Sequence, residues 1–162
     1  MKKLIAIVTL VCMVMAFAVG CDSVKDILKP AEKTFTKSGM SITLTEEFGE
    51  KEYVSYTAVY ESPKVAVYTL KEETSLFGDA NYTLEQYTKM VISANGLTVD
   101  AQNKDGLTYF EFDKELNGKN FHYFAFTYKG EDAFWLVQFA CTKDQVSENQ
   151  ADIFGYAKTV KV

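Results

Sequence analysis

The 162-residue chain contains no arginine; all 17 of its basic residues are lysines, set against 22 aspartates and glutamates. Nucleic-acid readout depends on clustered positive charge and favours the bidentate fork of arginine, so a lysine-only chain of net charge −5 argues against any nucleic-acid partner. Cysteine is scarce too: Cys12 and Cys21 lie in or beside an apolar amino-terminal run, and Cys141 stands alone in the rest of the chain. The folded part therefore closes no internal disulfide and holds no cysteine-rich zinc site. His122 and Trp135 are the single histidine and tryptophan, and Pro30 and Pro63 the only prolines. No G-x-S-x-G, Walker A, H-E-x-x-H or dinucleotide-binding fingerprint occurs, which leaves the common hydrolase, nucleotide and zincin readings without support.

What is present begins with the amino terminus. Lys2 and Lys3 precede an uncharged run from Leu4 to Gly20, which small residues close in "AVGC", Ala18 to Cys21. This layout predicts an export signal over residues 1–20 rather than a fold element. An uncleaved anchor is the alternative, but seventeen residues fall short of the roughly twenty of a spanning helix and no lysine cluster follows as a stop-transfer signal. "AVGC" resembles the bacterial lipobox, although Ala18 stands where that motif more often has leucine. The resemblance implies a cleaved signal and lipidation of Cys21, with several acyl chains anchoring the protein to the membrane outside the cytoplasm. Removing residues 1–20 leaves 142 residues, with 15 lysines against 22 acids. That length suits one domain, burying about two thirds of the surface its unfolded chain exposes. The segment 21–33 reads as lipidated cysteine and stalk, and the domain as 34–162.

Within the domain, "TFT" and "MSITLT" around Ser38-Gly39 predict a hairpin, followed by strands "YVSYTAVY" and "KVAVYTL" divided by Ser62-Pro63. "TLEQYTKMVISANG" then changes period. Leu84, Tyr87, Met90, Val91 and Ala94 recur at helical spacing, Thr83 and Gln86 form a capping box, and Asn95-Gly96 supplies a stop. "LTVDAQNK", "LTYFEFDKEL", "NFHYFAFTY" and "AFWLVQFAC" follow, divided by Asp105-Gly106, Asn117-Gly118 and "KGED", and predict an antiparallel meander. Large apolar residues at both parities of the last strands require cover on both faces of the sheet. A second helix is expected over "SENQADIFGYAKTV", capped by Ser147 and Gln150 with a stripe of Ala151, Phe154 and Ala157, before a short strand near Val160. The class is α+β, an antiparallel sheet of about six to eight strands with helices packed on it.

This order of elements, from "FTKSGMSITLTEEF" through "TLEQYTKMVI" to "DAFWLVQFAC", resembles the PsbP-like fold, which is shared with a Ran-binding nuclear import factor. The resemblance spans about Thr34 to Val162. It implies a domain that acts by binding, as in photosystem extrinsic subunits and bacterial lipoproteins, and it carries no ligand residue over to this chain.

Candidate chemistry comes from strand register. A two-residue Asn117-Gly118 turn sets Asp113 opposite His122 and Glu111 opposite Phe124; a four-residue "KGED" loop sets Tyr128 opposite Ala133, His122 opposite Phe139 and Cys141 diagonal to His122. Asp113, His122 and Cys141 then share one face, as a thiol, base and orienting group would. The structural alternative is an ordinary pair of His122 with Asp113, and a buried filler at Cys141. Glu111, Asp113 and Glu115 also share a face, but calcium needs six to eight oxygens and no EF-hand loop supplies the rest, so a solvated strip answered by Lys119 and other lysines is expected, with no metal or cofactor. The loop "TSLFGDANY" offers Phe77, Asp79 and Tyr82 either as a binding loop or as aromatics tucked over the sheet. The leading expectation is a non-catalytic envelope lipoprotein binding a protein or small ligand; the alternative is a thiol enzyme built on Cys141, His122 and Asp113.

Overall fold

The computed structural model describes residues 30–78 and 81–162. The expected signal segment, Cys21 with most of the stalk, and Asp79 lie outside the described residues. Strand β1 (Glu32–Lys37) and strand β2 (Met40–Thr45) form a two-stranded sheet in which Lys37 pairs with Met40. The chain turns at Ser38 and Gly39, both at positive φ, which the twist of a two-residue hairpin requires. β1 starts at Glu32, two residues ahead of the expected domain start.

Seven further strands make one antiparallel sheet: β3 (Gly49–Lys51), β4 (Ala58–Glu61), β5 (Ala66–Glu73), β6 (Gln102–Lys104), β7 (Leu107–Leu116), β8 (Lys119–Lys129) and β9 (Ala133–Thr142). Their spatial order is β3-β4-β5-β9-β8-β7-β6, so the long β8 and β9 lie centrally and the two edges are three-residue strands. Short edges limit pairing with other chains. The expected strand over "YVSYTAVY" shrinks to Ala58–Glu61, because residues 54–57 turn and Tyr53 and Tyr56 fold back onto the sheet. "LTVDAQNK" likewise contributes only Gln102–Lys104.

Helix α1 (Leu84–Ala94) starts where its capping box predicts: the Gln86 N–H donates to Thr83 Oγ1, and the Thr83 N–H to Gln86 Oε1 at 2.8 Å. Its buried face is Tyr87, Thr88, Val91 and Ile92. This face is rotated from the expected stripe, leaving Ala94 exposed. Thr88 tolerates burial because its hydroxyl donates to the Leu84 carbonyl and meets Thr127 Oγ1 at 2.7 Å. Helix α2 (Val146–Lys158) corrects the second capping box. A 3₁₀ turn over Lys143–Gln145 leads directly into it, Ser147 is already helical, and no side chain caps its first turn. Its buried residues are Asn149, Ile153, Phe154 and Ala157, with Ala151 exposed. The strand near Val160 reduces to a bridge between Ser41 and Lys161.

The sheet thus has two cores. Odd-numbered β9 residues such as Trp135, Val137, Phe139 and Cys141 join Phe124 and Phe126 beneath α2 and the β1–β2 hairpin. Phe134, Leu136 and Ala140 join Phe110, Phe112 and Tyr123 on the α1 side. Full burial of each such phenylalanine contributes about 1.5–3 kcal/mol, so the aromatic density of β7, β8 and β9 carries much of the fold. Among the described residues no helix is long and apolar enough to cross a membrane.

Candidate functional site

Asn117 and Gly118 stand at φ 50° and 75°, and the tight turn they make pairs Leu116 with Lys119 and Asp113 with His122. The β8–β9 turn departs from expectation. Tyr128 faces Trp135 and Lys129 faces Phe134, while the Gly130 N–H donates to the Ala133 carbonyl at 2.8 Å. Only Glu131 and Asp132 turn, so the register moves by two residues from the four-residue loop. An even shift preserves the face, and it sets His122 directly opposite Cys141 rather than opposite Phe139.

Asp113, His122 and Cys141 therefore lie in one row across β7, β8 and β9. Their side chains are not linked as a relay. His122 Nδ1 lies 2.7 Å from Asp113 Oδ1 and Nε2 lies 3.1 Å from Glu111 Oε2, so both ring nitrogens face carboxylates. A neutral imidazole donates to one of these acids and a doubly protonated ring to both. Phe124 packs against the ring edge to face, with centroids 4.6 Å apart. Lys143, from the 3₁₀ turn before α2, donates to Asp113 Oδ2 at 2.6 Å. Lys143 and then His122 hold the Asp113 carboxyl below the usual carboxylate range. The acidic strip is thus answered by the Lys143 ammonium and by hydrogen bonds to the His122 ring, whereas Lys119 faces Leu116. Among the described residues no cluster of His, Cys, Asp and Glu has metal-binding geometry.

Cys141 has 0% exposure, and burial, with a further push from Asp144, raises its thiol to about 11. A thiol so placed is neutral near pH 7 and poorly nucleophilic.

The loop after β5 brings two sequence candidates together. Phe77 ends a 3₁₀ turn over Thr74–Phe77 and stacks on Tyr82 at 4.9 Å; both rings meet Phe134 edge to face, at 5.4 and 5.9 Å. Thr74 donates through its N–H and hydroxyl to the Asp132 carbonyl, and Lys129 Nζ donates to the Tyr82 carbonyl at 2.8 Å. Phe77 and Tyr82 are consequently tucked over the sheet, while Leu76 between them and β5 stays 65% exposed.

Two features escaped sequence reasoning. Tyr87 donates to Glu72 Oε2 at 2.7 Å; burial raises the Glu72 carboxyl, and the hydrogen bond partly opposes that rise. A long-range pair of this kind leaves no local signal. An open groove of about 680 Å³ also runs between α1 and residues 96–103, lined by Ile92, Ser93, Leu97, Val99 and Ala101 together with the charged Glu85, Lys89 and Asp100. The alternation of Leu97, Val99 and Ala101 is visible in the sequence, where it reads as a strand.

The fold is similar to that of cyanobacterial PsbP from Synechocystis. The likeness covers 87% of this chain and 98% of that one, at 12% identity and a TM-score of 0.45. A Bacteroides thetaiotaomicron protein matches over 83% of this chain at 8% identity and a TM-score of 0.57, and this chain spans about half that protein's length, 49%. LpqN, involved in cell envelope biogenesis of Mycobacterium tuberculosis, matches over 81% of this chain and 90% of its own, at 8% identity and a TM-score of 0.47. No family model matches the chain, and no curated protein matches it in sequence.

Proposed function

We propose that this protein is a lipid-anchored envelope protein whose single domain binds a protein or small ligand without catalysing a reaction. The observation that carries the non-catalytic reading is the state of its reactive side chains: the Cys141 thiol is sealed in the core, and both His122 nitrogens face acids. These groups stabilise the sheet. Binding falls to the groove beside α1, where partly exposed Leu97 and Val99 line a concave surface flanked by Lys89 and Asp100. Ile92, Leu97 and Val99 would give a ligand apolar contact, and Lys89 and Asp100 would give it polar groups that fix orientation. The anchor rests on the lipobox-like "AVGC" and the apolar run before it.

The test is crosslinking in whole cells, with wild type compared against Ser93→Arg, an exposed helix position lining the groove. A species captured reproducibly by wild type and lost in the folded variant supports the reading. Capture unaffected by Ser93→Arg moves binding away from the groove, and turnover of a substrate by purified protein overturns the non-catalytic claim.

A further inference from the structure

The chain holds two Asn-Gly pairs, Asn95-Gly96 and Asn117-Gly118, and the fold treats them in opposite ways. Asn95 caps α1. Its side-chain amide donates to the Val91 carbonyl at 2.8 Å, and the Gly96 N–H donates to the Ser93 carbonyl at 3.0 Å. Asn117 and Gly118 are both exposed at the tip of the β7–β8 hairpin. Among the described residues neither the Asn117 side chain nor the Gly118 N–H has a hydrogen-bond partner.

We propose that Asn117 is a site of spontaneous deamidation, selected over Asn95 by this difference in hydrogen bonding. The reaction needs the backbone nitrogen of the following residue as nucleophile. The Gly118 nitrogen loses its proton to solvent base and attacks Asn117 Cγ, the Cγ–Nδ2 bond breaks, and ammonia leaves with that proton returned, closing a five-membered succinimide. Water then adds across one imide bond and opens it to aspartate or to isoaspartate. Asparagine is among the thermolabile residues for this reason. Glycine after asparagine has no side chain to obstruct the approach. The bulkier followers of the other asparagines, Tyr82, Lys104, Phe121 and Gln150, do obstruct it. At Asn95 the nucleophile's proton is held by Ser93 and the leaving amide by Val91, so the same chemistry waits on fraying of the helix end. At Asn117 opening of one turn suffices.

The product matters to the sheet. Aspartate adds a negative charge two residues from Glu115, and isoaspartate routes the main chain through an added methylene in a turn whose two-residue length sets the pairing of Leu116 with Lys119.

The full-length protein is incubated in mildly alkaline buffer, native and in denaturant, and its peptides are followed by mass spectrometry. In the native protein the Asn117 peptide is expected to gain one mass unit several-fold faster than the Asn95 peptide, with the two rates converging in denaturant. Asn117→Gln removes the gain at that peptide and leaves the Asn95 peptide as before. No gain at Asn117 in the native protein, or a native ratio equal to the denatured one, overturns the proposal.

Discussion

The phenol of Tyr87 donates a 2.7 Å hydrogen bond to the carboxylate of Glu72, joining α1 to strand β5 beneath a layer of aromatic rings. Tyr87 is fully buried and stacks on Phe134 at 4.7 Å, so the pair sits where the helix meets the centre of the sheet.

Tyr87→Phe keeps the ring and removes the donor, leaving a half-buried carboxylate without its partner. The expected loss is about 1–3 kcal/mol near neutral pH. Because the folded state raises the Glu72 carboxyl, the native protein binds that proton more tightly than the unfolded chain, and this group's contribution to stability falls as pH rises through its folded value. The gap between variant and wild type therefore narrows as pH is lowered and Glu72 becomes neutral. Urea unfolding at several pH values reads it.

The Asp113 carboxyl behaves with the opposite sign. Held low by Lys143 and His122, it contributes stability that is present above the ordinary aspartate range and lost as pH falls through its folded value. The groups are partly exposed, so Asp113→Asn should cost only about 0–1 kcal/mol near neutral pH, with the difference vanishing in acid.

These two pairs show how far the sequence could be read. Asn117-Gly118, a local signal that dictates its own register, places Asp113 with His122, and the capping box of Thr83 and Gln86 sets the start of α1 in the same way. The turn at Glu131-Asp132 carries no such signal, and it is two residues shorter than the four-residue loop that "KGED" suggests. Lys143 reaches Asp113 from the 3₁₀ turn before α2, and Tyr87 reaches Glu72 across 15 positions. Contacts made by packing rather than by neighbouring residues have no period to detect. In α2 the buried face takes Asn149 and Ile153 in place of Ala151, and the Asn149 side chain donates to the Gln145 carbonyl one turn back.

In the loop after β5, Phe77→Ala should destabilise the domain by about 1–3 kcal/mol, since it removes a stacked ring and two edge contacts. Leu76→Ser, one residue earlier and mostly exposed, should stay within about 0.5 kcal/mol. Thermal unfolding of the two variants side by side separates a tucked ring from a solvent-facing one.

Mass spectrometry of protein taken from the membrane fraction tests the anchor. The expected amino-terminal peptide begins at Cys21 and carries acyl chains, and Cys21→Ser should abolish detergent partitioning. A wild-type peptide with unmodified Cys21 would remove the lipoprotein reading.

The reading as a binding domain depends most on Cys141 being inert, and its alkylation rate measures that directly. In native protein near neutral pH the rate should be slow, set by opening of the core, and nearly unchanged by His122→Ala in a variant that unfolds at the same denaturant midpoint as wild type. Rapid alkylation of wild type that drops steeply in that variant would contradict the account and reveal a thiol activated by its neighbouring imidazole.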